Sequence, residues 1–310
     1  MVKYGKDNPS VVVLDADVSA STKTSIFGAA CPDRFFNVGI AEANMAAMAA
    51  GFASVGKIPF VNTFAVFLSS LGLLAARTFG SYSKLGIKFA GAYGGLSDSF
   101  DGPSHHSVED LTIMRSLPNF KVFVASDAAN AEWMVKHAIE KPRDPMYIRL
   151  SRDVFPDLYR EGELFEEGKG MVLREGKDVA IIACGIMVSK ALEASDILAK
   201  EGVEAAVVDM FCIKPIDSAL IAGLARHTGA LVTAEEHSII GGLGGAVAEA
   251  LCREGAHAAV GFVGLNDTHA ECGPYGPLME KYGLSAAAIA EKAREALLRK
   301  IFIPPVNADR

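Results

Sequence analysis

Apolar positions in this chain come mostly as short unbroken runs, not as an every-second-residue alternation. Such runs suit strands covered on both faces, as in a parallel sheet. In the first half, positions 11–14, 59–61, 87–90, 121–124 and 146–150 read as strands. Ala-rich stretches of helical length at 40–53, 66–78, 107–116 and 130–140 fall between them and read as helices. A charged, apolar-poor passage starting near 153 breaks this rhythm. It then resumes with strands at 179–183, 204–209, 230–233 and 260–263, and helices at 188–201, 218–227, 244–253 and 285–301. The expected fold class is α/β, with two domains that are each a mainly parallel sheet covered by helices. The expected boundaries are 1–155 for the first domain, 156–170 for the linker and 171–310 for the second domain. A chain of 310 residues also exceeds what one core usually serves.

One stretch changes this picture only if read by hydropathy alone. Positions 58–76 are uncharged between Lys57 and Arg77, long enough for a membrane span. The stretch contains Pro59, Asn62, Thr63, Ser69, Ser70 and Gly72, so a buried strand, turn and helix is the better reading. A formal net charge of -7 disfavours nucleic acid, since no basic excess exists to release counterions. Five cysteines, odd in number and without C-x-x-C spacing, point to reduced thiols. With no leader visible at the start, a cytoplasmic location is expected.

The chemistry is concentrated in a few segments. In Asn37-Val-Gly-Ile-Ala-Glu42, a lone carboxylate opens an otherwise uncharged helix. Alone, Glu42 would be a helix-start acid favoured by the dipole. Asn62-Thr-Phe64-Ala-Val-Phe67 spaces two aromatic residues by three, which alone would be ordinary core. Asp15-Ala-Asp17-Val18-Ser-Ala-Ser21 follows the first strand, where ligand-facing loops lie in open parallel sheets, although Asp there is also a common turn residue. Phe100-Asp101-Gly-Pro-Ser-His105-His106 and Tyr147-Ile-Arg149-Leu-Ser-Arg152 complete the set. The adjacent histidines form no convincing metal site, because neighbouring side chains diverge and no further ligand lies nearby. No metal ligand is expected on this chain.

Together these segments resemble the transketolase family, over nearly the whole chain: a thiamine-diphosphate pyrimidine-binding fold followed by a transketolase C-terminal fold. The resemblance is carried by the V-G-I-A-E, T-F-x-x-F, A-D-x-x-x-S, D-G-P-S-H and L-S-R elements. It implies that Glu42 hydrogen-bonds the aminopyrimidine of thiamine diphosphate, favouring the tautomer that removes the thiazolium proton. It implies that Phe64 and Phe67 hold the pyrimidine and that Asp17 and Val18 approach the thiazolium side. Ser21 and Arg152 would meet substrate phosphate, Asp101 the donor's α-hydroxyl, and His105 would bind substrate and assist proton transfer. Arg149 is the fallback to Arg152. The implied activity is transfer of a two-carbon ketol unit between sugar phosphates.

The family's Gly-Asp-Gly element with a downstream Asn, which holds Mg²⁺ against the diphosphate, is missing from this sequence. The resemblance therefore implies a partner subunit carrying that domain and the Mg²⁺ ligands, with the pairs assembling as an α2β2 heterotetramer. Tyr93 stands where many family members carry a phosphate-binding histidine, and the arginine-bearing helix that usually precedes the first strand is not seen. The Gly-rich run 235–245 lacks the G-x-G-x-x-G order and reads as structural or interfacial. Two enzyme rivals are the β subunit of a 2-oxo acid dehydrogenase, which shares both domains, and a 1-deoxyxylulose-phosphate synthase; a doubly wound nucleotide-binding protein is a rival of another class, although neither half shows a dinucleotide fingerprint. An inactive scaffold partner is the non-enzyme alternative.

Overall fold

The computed structural model describes residues 1–300. Position 301 of the last expected helix, and the final ten positions of the second expected domain, lie outside the described residues. The chain forms two mostly parallel sheets covered by helices. The first sheet contains β1 (Val11–Asp15), β2 (Phe35–Asn37), β3 (Ile58–Phe64), β4 (Lys88–Ala92), β5 (Lys121–Val124) and β6 (Met146–Arg149). The second contains β7 (Met171–Arg174), β8 (Val179–Ala183), β9 (Ala205–Asp209), β11 (Ala230–Ser238) and β12 (Ala259–Leu265), in the order β12-β11-β8-β9-β7.

The remaining strand, β10 (Cys212–Lys214), crosses over. It leaves the second half of the chain and pairs antiparallel with β5, so the first sheet runs β10-β5-β6-β4-β3-β1-β2. Every residue of β1, β8 and β9 is buried. Helices on both faces leave no polar side to these central strands, which explains their continuous apolar runs. One apolar cluster continues from Val12, Leu14 and Val61 of the first sheet through Ile182, Val208 and Leu231 of the second. The two sheets thus share a core instead of meeting at a wet interface.

The uncharged stretch at 58–76 is β3 followed by short helical pieces, and among the described residues no helix is long and apolar enough to cross a membrane. The single helix expected at 66–78 is broken into Ala65–Ser70, Leu73–Ala75 and a π-helical segment Ala76–Tyr82. Gly72 marks the break. A Cβ there would lie 2.6 Å from the Leu68 carbonyl oxygen, so the chain turns too tightly for a side chain. All five cysteines are free thiols; Cys31, Cys184 and Cys212 are buried, while Cys252 and Cys272 are exposed.

Candidate functional site

Parallel strands all point their carboxyl ends the same way, and the loops leaving those ends form a crevice in open α/β sheets. Here the sheet order places the candidate residues side by side along that edge. Arg152 follows β6, and the segment bearing Tyr93, Asp98, Asp101 and His105 follows β4. Phe64 ends β3 and Phe67 follows it, Asp17, Val18 and Ser21 follow β1, and the turn into Glu42 follows β2.

The loop after β1 is held by Asp15, not Asp17. The buried Asp15 carboxylate accepts hydrogen bonds from the Val18 amide at 2.7 Å, Thr22 Oγ1 at 2.9 Å and Thr24 Oγ1 at 2.6 Å. Asp17 is left exposed with φ +65°, a conformation disfavoured for a residue with a Cβ. Its Oδ1 accepts from Asn37 Nδ2 at 2.7 Å, tying this loop to the turn that leads into Glu42. Ser21 lies half-buried on the short helix Ser19–Thr22.

Glu42 starts the helix Glu42–Ser54 and is only 6% exposed. Among the described residues its side chain has no hydrogen-bonding or ion-pair partner. Its oxygens are not among the fully enclosed polar atoms, so the carboxylate keeps solvent contact and can accept from a ligand's donor. Helix Glu42–Ser54 packs against Leu73–Ala75 and Ala76–Tyr82. On this flank Ile40, Leu74 and Tyr82 are 83%, 74% and 85% exposed.

The aromatic residues form a wall. Phe64 and Phe67 lie 6.2 Å apart between ring centroids, and the His105 ring meets Phe67 edge-on at 5.2 Å. Tyr93 stacks on Phe64 at 4.6 Å with an interplanar angle of 13°. The Arg152 guanidinium covers the Tyr93 ring at 5.1 Å and donates to Asp98 Oδ1 at 2.8 Å. Tyr93 reaches this position with φ +60°, local strain of roughly 1 kcal/mol or more held by the stack. Burial pushes the Asp98 carboxyl up, as does repulsion from Asp101, while Arg152 opposes both. Asp98 carries no motif signal in the sequence; only its pairing with Arg152 brings it to the site.

Asp101 is exposed and precedes the 3-10 turn Gly102–Ser104, whose Gly102 needs φ +76°. That turn presents His105 half-buried against the phenylalanines, with Nδ1 3.0 Å from Ser104 Oγ. His106 turns inward instead. Burial lowers its pKa, and the backbone of Ser99 and Asp98 opposes that shift. No three His, Cys, Asp or Glu residues come together as a metal site among the described residues.

The fallback residue Arg149 is not available to a ligand. Fully enclosed, it donates to Asp110 Oδ2 at 2.9 Å and to the carbonyls of Ser107 and Glu236 at 2.8 and 2.9 Å. The Gly-rich segment is similarly occupied by its own chain. Glu235 accepts from the Leu243 and Gly244 amides at 2.7 and 2.8 Å, filling the anion site at the start of helix Leu243–Arg253.

Comparison with known proteins agrees with this geometry. The chain matches the transketolase pyrimidine-binding domain over residues 1–157 and the transketolase C-terminal domain over residues 168–289. A transketolase C-terminal section of Methanocaldococcus jannaschii is 39% identical over 302 residues, spanning 97% of this chain and 94% of its own length. A 6-deoxy-6-sulfo-D-fructose transketolase subunit of a Clostridium species is 38% identical, with 97% and 93% covered. Among solved structures, a split-gene transketolase described as an inactive β4 tetramer is 50% identical, with a TM-score of 0.87 over 97% of this chain and 96% of that one. The chain belongs to the transketolase family and carries its pyrimidine-binding and C-terminal domains.

Proposed function

We propose that this chain is the pyrimidine-binding half of a thiamine-diphosphate-dependent transketolase that transfers a two-carbon ketol unit between sugar phosphates. It is active only with a partner subunit that carries the diphosphate-binding domain and the Mg²⁺ ligands. The observation that carries the reading is Glu42, a largely buried residue whose carboxylate makes no hydrogen bond among the described residues, on the same sheet edge as the Phe64–Phe67–His105 wall. The pair fits an aminopyrimidine: the carboxylate accepts from or charges a ring nitrogen, and aromatic faces suit a flat polar heterocycle. When bound, thiamine diphosphate supplies the carbon nucleophile and the electron sink.

This chain's own residues then divide the work. Glu42 orients and polarises the pyrimidine, and Phe64 and Phe67 exclude water around it. Asp17 and Val18 bound the thiazolium side. Asp101 and His105 engage the donor's hydroxyls, with His105 moving a proton near neutral pH. Ser21 and Arg152 meet the anionic end of the sugar. Arg152 is already neutralised by Asp98 and stacked on Tyr93, so it offers a directed fork and little free charge. A phosphate, or another compact anion such as the sulfonate in the Clostridium subunit's named substrate, satisfies that fork.

The exposed apolar flank beside Glu42 supports a partner that closes the site, because each leucine-sized side chain gains about 1.5–3 kcal/mol when fully buried. An α2β2 assembly would place that flank, with the cofactor, between subunits. Calorimetric titration tests this. Thiamine diphosphate and Mg²⁺ are expected to bind the mixture of this chain with its diphosphate-domain partner and not this chain alone. Tight binding to the isolated chain would show that the diphosphate and metal are held elsewhere.

His105→Ala in the assembled complex is expected to lower kcat/KM for a ketose phosphate by about 10²-fold, the lower range for a lost acid–base group. Cofactor affinity should stay at the parent value. Unchanged donor kinetics would remove His105 from the site.

A further inference from the structure

The segment from Tyr93 to Ser107 carries four residues of the site, yet the first domain does not hold it alone. Its ends meet where Ser107 N donates to the Gly95 carbonyl, and its own domain holds them there: Gly94 N donates to the Leu150 carbonyl and Arg149 to the Ser107 carbonyl. Between those ends Arg152 of the first domain holds Ser97 Oγ and Asp98 Oδ1, and the second domain adds anchors of its own. Glu236, on β11, accepts from the Leu96 amide at 2.7 Å through Oε1, and Tyr275 OH donates to the same oxygen at 3.1 Å. The Gly273 amide donates to the Ser99 carbonyl at 3.0 Å. The fit is tight: a Cβ on Gly95 would lie 2.2 Å from Glu236 Cδ, and one on Gly102 would lie 2.2 Å from Cys272 Sγ. Glu236 itself is 3% exposed, and burial pushes its carboxyl up to about 7.

We propose that Glu236 is a positioning residue for ketol transfer: from the C-terminal domain it pins Leu96 and thereby sets where Asp101 and His105 stand against the substrate. The inference rests on the transketolase reading of the site. It gives the C-terminal domain a task in the reaction that requires no contact with cofactor or substrate. A shift of about 1 Å in a group facing the reacting atoms is enough to cost up to about 10²-fold in rate, so one anchor of this kind has kinetic weight.

The test combines amide hydrogen exchange on this chain with kinetics of the assembled complex. Glu236→Ala is expected to speed exchange across 94–107 and to raise the donor KM about tenfold, the effect of losing one hydrogen bond to a charged group. Affinity for thiamine diphosphate should not change. Glu236→Asp should act in the same direction, because the shorter side chain withdraws the carboxylate from Leu96, and it carries both readouts if the alanine variant does not fold. Glu236→Gln keeps an acceptor oxygen and should restore most of the parent KM. Parent exchange and parent KM in either the Ala or the Asp variant would overturn the proposal. So would equal losses in all three variants together with weakened cofactor binding, which would mark a general structural role. A parent complex without ketol-transfer activity would instead sink the transketolase reading, and the exchange measurement would still decide the pin.

Discussion

Glu42→Gln is expected to cut turnover of the assembled complex by about 10²–10⁴-fold while leaving its assembly intact. Glutamine keeps the volume and one acceptor oxygen at a position that is 6% exposed, so no cavity opens in helix Glu42–Ser54. What is lost is the negative charge that favours the proton-accepting tautomer of the pyrimidine. Single-turnover kinetics with a ketose phosphate, alongside calorimetric measurement of cofactor affinity, separates the two roles. Slow chemistry with affinity kept within about tenfold supports the activation role. Turnover close to that of the parent would refute it, whatever happened to binding.

The second large effect is on stability. Arg149→Met should destabilise the chain by about 3–5 kcal/mol, because it strands the fully buried Asp110 carboxylate without its partner cation. It also leaves the Ser107 and Glu236 carbonyls without their guanidinium donor. These acceptors lie in different domains, so the loss loosens the pairing of the two sheets as well as the loop before helix Asp110–Ser116. Asp110→Asn in the Arg149→Met background should recover part of the loss, since a neutral amide can still accept from Tyr147 OH. Urea unfolding followed through Trp133, which packs edge-on against Phe211 at 5.4 Å, reads both effects. An unshifted midpoint in Arg149→Met would show that the pair contributes nothing net, as replacement of some buried ion pairs does.

The central strands could be read from local pattern because helices cover both of their faces, which demands four or five apolar residues in a row. Strands β5 and β8 coincide with the runs at 121–124 and 179–183. The short strands gave no such signal. β2 and β10 have three residues each, and β7 is a half-exposed edge strand, so none carries a run long enough to stand out. That β10 joins the first sheet, far from its neighbours in the chain, is a long-range pairing to which local hydropathy is blind.

The site divides in the same way. Glu42, the Phe64 and Phe67 pair, and the Asp101 to His105 turn stand out as candidates in the sequence because motif spacing survives in one dimension. Tyr93 was visible only as a departure from the family pattern. Its place between Phe64 and Arg152 follows from the strand order β3-β4-β6 together with a positive φ.

Residue order alone was sufficient for the fold class and the family, since these follow from periodicity and short motifs. The buried charges needed three dimensions. Lys88 opens β4 fully enclosed, its amine satisfied by the Lys141 and Asp144 carbonyls and its pKa lowered by burial to about 7. The strand read at 230–233 in fact runs on to Ser238, through Glu235 and Glu236. Carboxylates look like surface residues until their partners are known, and here those partners are a helix N-terminus and the Leu96 amide of the other domain. Burial of a charge depends on which distant group answers it, and that is decided only when the two sheets close on one core.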